Sequence, residues 1–317
     1  MTEAASTKPP VLSLVLPACN EAANVAPLHE RLARAVEAAG FADAAEFIWV
    51  DDGSTDGTAE RVEALAAADP RVRLVRFSRN FGHMAALTAG LDAARATGAV
   101  IMLDADGQHP PELIPDLVAR WRAGAEIVQA VRRATADEPP LKRLTSRGFY
   151  RLLNHLGEVR LPEGASDFRL LDRQVADALR ALPERHRFVR GLVHWVGFQM
   201  DTVPYDAPPR LAGRTKYSPA RMLLFALDGI TSFSVKPLRL AFGLGAAVLV
   251  LALIYGIYVI ATWAAGRVVP GWTSLLLVVL IMGSIQLLTL GVMGVYIGRI
   301  YDEVKQRPLY IVRKPRR

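Results

Sequence analysis

The chain contains 317 residues, of which 51% are hydrophobic, and it carries a net charge of +7 and a single cysteine. Two or three structural units fit this length, and the lone cysteine excludes an internal disulfide and is typical of a reducing compartment. The positive charge could indicate a nucleic-acid partner, but much of its excess lies in residues 299–317, beside an apolar stretch. The sequence also has no basic stripe rich in aromatic residues, which is typical of RNA-binding proteins. We therefore expect attraction to anionic lipid and no nucleic-acid binding.

The first half of the chain alternates between two hydrophobic patterns. Residues 1–10 lack an apolar core of signal-peptide length and are predicted to be a disordered N-terminus. Short apolar runs follow at 11–16, 46–50, 72–77, 99–103 and 126–131, and segments with helical spacing lie between them near 24–39, 57–68, 83–96 and 112–122. This alternation predicts an α/β cytoplasmic domain over residues 11–215, built on a mainly parallel sheet with helices on both faces.

Acidic and amide side chains are concentrated just after three of the predicted strands. They are Asn20 and Glu21, then Asp51 and Asp52, then Asp104 and Asp106. Because the carboxyl ends of parallel strands meet at one edge of a sheet, ligands of such sheets bind there. The sequence therefore predicts one binding site at this edge.

Three oxygen-bearing side chains alternate with other residues after the fourth predicted strand: Asp104, Asp106 and Gln108. Carboxylate and amide oxygens suit a hard cation such as Mg²⁺ or Mn²⁺, which takes its remaining ligands from water and from a substrate's phosphates. An Asp-rich loop before a helix that opens at Pro110 and Pro111 would look the same. The spacing alone leaves both interpretations open.

The alternation ends after residue 131. Residues 132–147 are polar and basic and are predicted to form a mobile loop, residues 148–156 a helix, and residues 166–170 the approach to another helix. Residues 216–238 contain a weakly charged apolar segment that leads into a long apolar stretch. We predict a juxtamembrane amphipathic helix there, with an ordinary buried helix as the alternative.

Residues 239–298 contain two long segments, 240–266 and 268–298, that carry no formal charge. Each exceeds the roughly 20 residues that a helix needs to cross a bilayer, and neither has a polar face. They predict two transmembrane helices, followed by a basic cytoplasmic tail over residues 299–317. Positive charges lie before the first span, at Lys236 and Arg239, and in the tail, so both termini and the N-terminal domain are predicted to be cytoplasmic.

Three motifs occur in an order that identifies a family resemblance: residues 16–21 (Leu-Pro-Ala-Cys-Asn-Glu), 50–54 (Val-Asp-Asp-Gly-Ser) and 103–108 (Leu-Asp-Ala-Asp-Gly-Gln). Together they resemble the family-2 glycosyltransferases of the GT-A fold. Further segments resemble the branch of that family that loads sugars onto polyprenyl phosphates, namely 79–83, 166–170, 187–192, 214–217 and 228–234. The resemblance extends from about residue 11 to residue 312.

The resemblance implies an inverting transfer of a sugar from a UDP- or GDP-linked donor to the phosphate of an undecaprenyl-like lipid at the cytoplasmic face of the inner membrane, with Mg²⁺ or Mn²⁺ bound. The implied nucleotide-sugar-binding residues are Pro17, Asn20, Glu21, Asp51, Asp52, Ser54 and Asp104. The implied metal ligands are Asp104, Asp106 and Gln108.

The resemblance also implies a reacting centre that contains Asp167, as orienter or base, and Arg169. A lipid phosphate is already ionised at neutral pH, so it needs cations to bind and aim it more than it needs a strong base. The candidate cations for the lipid phosphate are Arg132, Arg169, Arg210 and Lys216.

Three other functions share parts of this pattern. A processive polysaccharide synthase would carry a Gln-x-x-Arg-Trp motif and more spans, and the chain has neither. A membrane-tethered scaffold that had lost catalysis would be free to lose the acidic triplet and the pair Asp167 and Arg169. A nucleic-acid-binding membrane protein would bind DNA in a strongly salt-dependent manner. Several sugars, either nucleotide base and a homo-oligomeric assembly are all compatible with the sequence.

Overall fold

The computed structural model describes residues 9–133, 164–185, 187–206, 208, 234–266 and 271–314. The strands in these ranges are β1 (Leu12–Ala18), β2 (Ala45–Asp51), β3 (Val72–Arg76), β4 (Ala99–Met102), β5 (Ile127–Arg132), β6 (Ala165–Asp172) and β7 (Met200–Tyr205). The helices are α1 (Val25–Ala38), α2 (Thr58–Ala68), α3 (His83–Ala93), α4 (Ile114–Arg122), α5 (Arg173–Ala181), α6 (Val189–Trp195), α7 (Lys236–Ala264) and α8 (Trp272–Lys305).

The strands form one sheet in the order β3-β2-β1-β4-β6-β5-β7. Strands β1 to β4 run parallel to one another, β6 is antiparallel to both of its neighbours, and β7 is parallel to β5. The predicted mainly parallel sheet is therefore confirmed, and all five predicted strands are present. β6 and β7 were not predicted as strands: residues 166–170 were taken only as the approach to a helix, and no element was predicted at 200–205.

The core lies on both faces of the sheet, as the burial of every residue in β1 and β2 requires. Leu14 and Leu16 pack in one apolar cluster with α1 and α4, whereas Val15, between them, packs in the other with α3 and α6. Helix α3 lies very close to β1, since a Cβ added at Gly90 would stand 2.1 Å from Val15 Cγ1. This close packing fixes the helix whose first residue is His83.

Helices α7 and α8 are long and apolar enough, by length and composition, to cross a membrane. The apolar window of each has no buried residues, and large side chains such as Phe242 and Ile257 are exposed. The two predicted apolar helices are thus present. The predicted surface helix at 216–238 falls mostly outside the described residues, and its last three residues, 236–238, form the first turn of α7.

An ion-pair network stabilises the loop after α2. Asp69 accepts hydrogen bonds from the Arg71 guanidinium at 2.8 Å and 3.0 Å, and its carboxylate lies 3.1 Å from His29 Nε2. Arg71 in turn donates to the carbonyl oxygen of Ala42 at 2.7 Å. The hydrogen bond from Arg71 is the main cause that lowers the pKa of Asp69 to about 2.

We expect Asp69→Asn to lower the free energy of unfolding by about 1 kcal/mol at neutral pH, after allowance for solvent screening. The pKa of Asp69 is lower in the folded than in the unfolded chain, so its contribution is present above about pH 4 and is lost as the pH falls towards 2. Thermal unfolding of the full chain in detergent at several pH values measures this, with exposed Asp116→Asn as the control. If the stability difference between Asp69→Asn and the unaltered protein did not shrink as the pH falls, ionised Asp69 would not be the source of that stability.

Candidate active site

The loops after β1 and β2 are joined by hydrogen bonds. The Asn20 backbone N–H donates to Ser54 Oγ at 2.9 Å, and Asn20 Oδ1 accepts from the Thr55 backbone N–H at 2.9 Å. The Glu21 backbone N–H donates to Thr58 Oγ1 at 2.9 Å. Asn20 adopts a left-handed backbone with φ of 58°, which asparagine tolerates better than most residues. The structure therefore brings predicted residues Asn20, Glu21 and Ser54 together, beside buried Pro17 in β1.

The adjacent acids Asp51 and Asp52 are both buried but differ in their contacts. Asp51 Oδ1 accepts the Ser54 backbone N–H at 3.1 Å, whereas its Oδ2 is buried without a hydrogen-bond donor in the described part of the chain. Asp52 accepts backbone N–H groups from Phe81 at 2.6 Å and from Gly82 at 3.0 Å, and burial raises its pKa. Asp52 thus supports the loop before α3. Asp51 Oδ2 lies 3.8 Å from Arg76 Nε, beyond hydrogen-bond distance, and so retains an acceptor position that a ligand N–H could satisfy.

Asp104 lies where β4 ends and offers an oxygen ligand. Its backbone N–H donates to Nδ1 of buried His109 at 2.9 Å, and His109 stacks on Phe168 with ring centroids 5.5 Å apart. Among the described residues no hydrogen-bond donor reaches its buried Oδ1. In the same turn Asp106 Oδ1 accepts the Gln108 backbone N–H at 3.0 Å.

Ligand atoms of His83, Asp104 and Asp167 lie within 4.8 Å of one another and could hold a metal ion. Of the predicted triplet, this group contains only Asp104. A buried carboxylate oxygen without a hydrogen-bond donor is what a divalent cation would satisfy, so Asp104 fits such an ion, whereas both carboxylate oxygens of Asp167 are bound by arginine. Burial works to lower the pKa of His83, but Asp104 and Asp167 outweigh it and raise that pKa to about 8.

Asp167, in β6, is the centre of the charged cluster and is 1% exposed. Arg190 in α6 donates to it from Nε at 2.9 Å and from Nη2 at 2.7 Å, in a bidentate geometry. Arg169 Nη2 donates at 2.9 Å, and His83 Nε2 lies 3.2 Å from Oδ2. Burial opposes ionisation, yet Arg190 and these partners hold the pKa of Asp167 well below its usual value. A carboxylate held this way is a weak base and is suited to orienting the cations around it.

Arg169 is as deeply buried as Asp167, and burial lowers its pKa to about 10. Its Nε and Nη1 atoms have no hydrogen-bond partner among the residues that the structure describes. Burial, together with the charge of Arg169, lowers the pKa of neighbouring His194 to about 4, so that ring is neutral at physiological pH. Unsatisfied buried guanidinium donors are costly and favour an anion in this region.

The structure brings the predicted site residues that it describes to one sheet edge, and these include Arg132, which lies exposed at the carboxyl end of β5. Arg210 and Lys216 fall outside the described residues. Two residues of the charged cluster, His83 and Arg190, were not predicted as site residues, although each lies in a segment quoted for the family resemblance. Their contacts with Asp167 span 84 and 23 residues, so no local spacing could have revealed them.

Comparison with known proteins defines the class. The model for "Glycosyl transferase family 2" matches residues 13–180, and the model for "GtrB C-terminal hairpin" matches residues 236–300, which cover most of α7 and α8. The chain therefore belongs to glycosyl transferase family 2 and is a glycosyltransferase, which confirms the resemblance and the GT-A type of fold.

Relatives are similar over almost the whole chain. The SfII prophage-derived bactoprenol glucosyl transferase of Shigella flexneri is 41% identical over 96% of this chain and 98% of its own length. An uncharacterized glycosyltransferase, sll0501 of Synechocystis sp., is 43% identical over 95% of this chain and 94% of its own. Among solved structures, the mannosyltransferase PcManGT from Pyrobaculum calidifontis, in complex with GDP-Man and Mn²⁺, is 19% identical and superposes with a TM-score of 0.43. The match covers 82% of this chain and 81% of the mannosyltransferase.

Proposed function

We propose that this glycosyltransferase transfers a sugar from a nucleotide-diphosphate donor to the phosphate of a polyprenyl lipid at the cytoplasmic face of the inner membrane. The observation that carries the proposal is the buried carboxylate of Asp167, bound by Arg169 and Arg190 in a chain with two membrane-length helices. Beside it lies Asp104, whose buried Oδ1 is 3.5 Å from His83 Nε2 and has no hydrogen-bond donor among the described residues. The name of the Shigella relative supports a bactoprenol-type carrier and makes glucose the first sugar to test.

The donor would lie along the ends of β1, β2 and β4. The Oδ2 atom of Asp51 can accept an N–H from the base, and the joined loops of Asn20 and Ser54 form the wall of this pocket. Mg²⁺ or Mn²⁺, held by Asp104 with Asp106 and Gln108 as the further predicted ligands, would stabilise negative charge on the departing diphosphate.

The acceptor phosphate needs to be bound and aimed. One of its oxygens forms the bond to the anomeric carbon while the bond from that carbon to the donor diphosphate breaks, and the nucleoside diphosphate departs. A single displacement of this kind inverts the anomeric configuration. Arg190 is partly exposed beside Asp167, so it can reach the acceptor, with Arg132, Arg210 and Lys216 as the further candidate cations. The low pKa of Asp167 supports a role as orienter of these cations and argues against one as base.

A donor screen tests this function. Full-length protein in detergent would be incubated with undecaprenyl phosphate, Mg²⁺ or Mn²⁺, and a panel of UDP- and GDP-linked sugars, and the lipid products would be identified by mass. We expect one donor to give a lipid that is heavier by a single sugar. A product that carries a growing chain of sugars would instead support a processive synthase, and sugar-nucleotide binding without any product would support an inactive scaffold.

The proposed orientation predicts that both termini are cytoplasmic, because the positive flanks lie before α7 and after α8. A reporter fused after Arg317 should read as cytoplasmic, and the same reporter inserted after Gly266, between the two helices, should read as external. The reverse pair of results would overturn the orientation, as would protease cleavage of the N-terminal domain from outside intact cells.

A further inference from the structure

The chain returns to the glycosyltransferase sheet after α8. We refer to residues 310–313 as the returning segment. It lies against the end of β3, where the Ser78 backbone N–H donates to the Ile311 carbonyl oxygen at 2.9 Å and the Arg313 backbone N–H donates to the Arg76 carbonyl oxygen at 2.7 Å. The segment therefore forms an antiparallel bridge with the residues just after β3, at the outer edge of the sheet.

Side chains fix the returning segment in place. The Tyr310 ring stacks on the buried ring of Phe77, with centroids 5.0 Å apart and planes 15° from parallel. The Tyr310 hydroxyl donates to Asp92 in α3 at 2.9 Å. Near the end of α8, the carboxylate of Glu303 accepts the Arg185 backbone N–H at 2.8 Å. Three separate parts of the glycosyltransferase domain thus hold the end of the membrane helix and the segment after it.

The contacts continue from the returning segment to the charged cluster. Phe77 packs edge-on against Phe81, with centroids 5.6 Å apart. The backbone N–H groups of Phe81 and Gly82 are bound by Asp52, and the next residue is His83, which lies against Asp104 and Asp167. Only the loop at 79–82 separates the strand end that the returning segment pairs with from the histidine of the site.

We propose that the returning segment positions the loop at 79–82 and thereby places His83 against the two carboxylates. It would couple the membrane helix α8 to the reacting centre, so that the site is fully assembled only when the chain end is docked. The expected effect on catalysis rests on the proposed function. The expected effect on the position of the loop at 79–82 does not.

Two double variants isolate the docking. Y310A/R313P loses the ring that stacks on Phe77 and the N–H that pairs with Arg76. Y310F/R313A keeps both. Both variants lose the same hydroxyl and the same positive charge, so charge-dependent membrane orientation is matched between them. If Y310A/R313P does not fold, Arg313→Pro can be compared with Arg313→Ala. These two single variants differ in the hydrogen bond from the backbone N–H of residue 313 to the Arg76 carbonyl oxygen.

The first readout is hydrogen exchange, which needs no activity. In Y310A/R313P the amides of Phe81 and Gly82, which donate to Asp52, should exchange faster than in Y310F/R313A. Equal exchange at these amides would overturn the proposal, whether or not transfer activity has been found.

The second readout is a double-mutant cycle with His83→Ala. We expect Y310A/R313P to show a kcat at least roughly tenfold below that of Y310F/R313A, because small displacements at a reacting centre are costly. When His83→Ala is added to both variants, the ratio of their kcat values should shrink to about twofold or less. The reason is that loss of docking is proposed to act through His83, which is then already absent. The same ratio in both backgrounds would mean that the segment only stabilises the fold, and would overturn the positioning role. Absence of transfer by the unaltered protein with every donor would count against the proposed function alone, and the exchange result would still decide the proposal.

Discussion

Asp104→Asn is expected to lower kcat/KM by at least about a hundredfold while the fold survives. The Oδ1 atom of Asp104 is buried without a hydrogen-bond donor in the described chain and lies 3.5 Å from His83 Nε2. The substitution replaces the carboxylate by a neutral amide, so a divalent ion would lose a negatively charged ligand. A bound ion contributes several kcal/mol of stabilisation to the charge that develops on the leaving group, which sets the size of the effect.

The measurement is initial rate as a function of Mg²⁺ and Mn²⁺ concentration, with exposed Asp116→Asn as a matched change of the same kind. The unaltered protein should lose activity in excess chelator and regain it when either metal is restored. Asp116→Asn should behave like the unaltered protein. Near-normal turnover of Asp104→Asn, or full activity in chelator, would exclude a metal role for this carboxylate.

Asp167→Asn is expected to lower kcat by at least about a hundredfold with both substrates saturating, and also to destabilise the protein. Arg169 would remain fully buried beside an amide that cannot balance its charge, and Arg190 would lose its bidentate partner. Removal of one member of a buried ion pair costs about 3–5 kcal/mol of stability. The two arginines would also lose the group that orients them, so an acceptor phosphate would be aimed less well.

Asp201→Asn is the matched control, because it breaks an exposed carboxylate–arginine pair, with Arg120 at 2.6 Å. We expect that variant to lose less than about 1 kcal/mol and little activity. Thermal unfolding and steady-state kinetics at a temperature at which all variants are folded separate the two effects of Asp167→Asn. A stable Asp167→Asn protein with normal kcat would remove Asp167 from the reacting centre.

β1, β2 and β4 were predictable because they are short, mainly apolar runs that are buried on both faces of the sheet. β3 and β5 are less completely buried and include arginine, but their apolar residues still form short runs. β6 was missed since it carries Asp167 and Arg169 at its centre, and these charges are tolerated there only because partners from other elements surround them. β7 includes Pro204, which weakens a strand pattern, although proline is compatible with a strand at the edge of a sheet.

The candidate site also contains residues that could be predicted from the sequence and residues that could not. Acids at strand ends follow from the parallel sheet, so Asp51, Asp52 and Asp104 were predictable. The partners of Asp167 were not, because chain folding alone brings His83 and Arg190 to it. Residues 309–312 (Leu-Tyr-Ile-Val) form a short apolar run within the basic tail, and this run is the one local sign of the returning segment that the sequence contains.

The chemical nature of the acceptor tests the proposed function most sharply. Full-length protein would receive a sugar nucleotide that the donor screen identifies, with undecaprenyl phosphate, undecaprenol or a soluble alcohol as acceptor, and the product linkage would be determined by mass and NMR. We expect a glycosyl phosphate on the lipid phosphate, with the donor's anomeric configuration inverted, and little transfer to either alcohol. Equal transfer to undecaprenol or to the soluble alcohol would show that the lipid phosphate is not the nucleophile, and would overturn the proposed function.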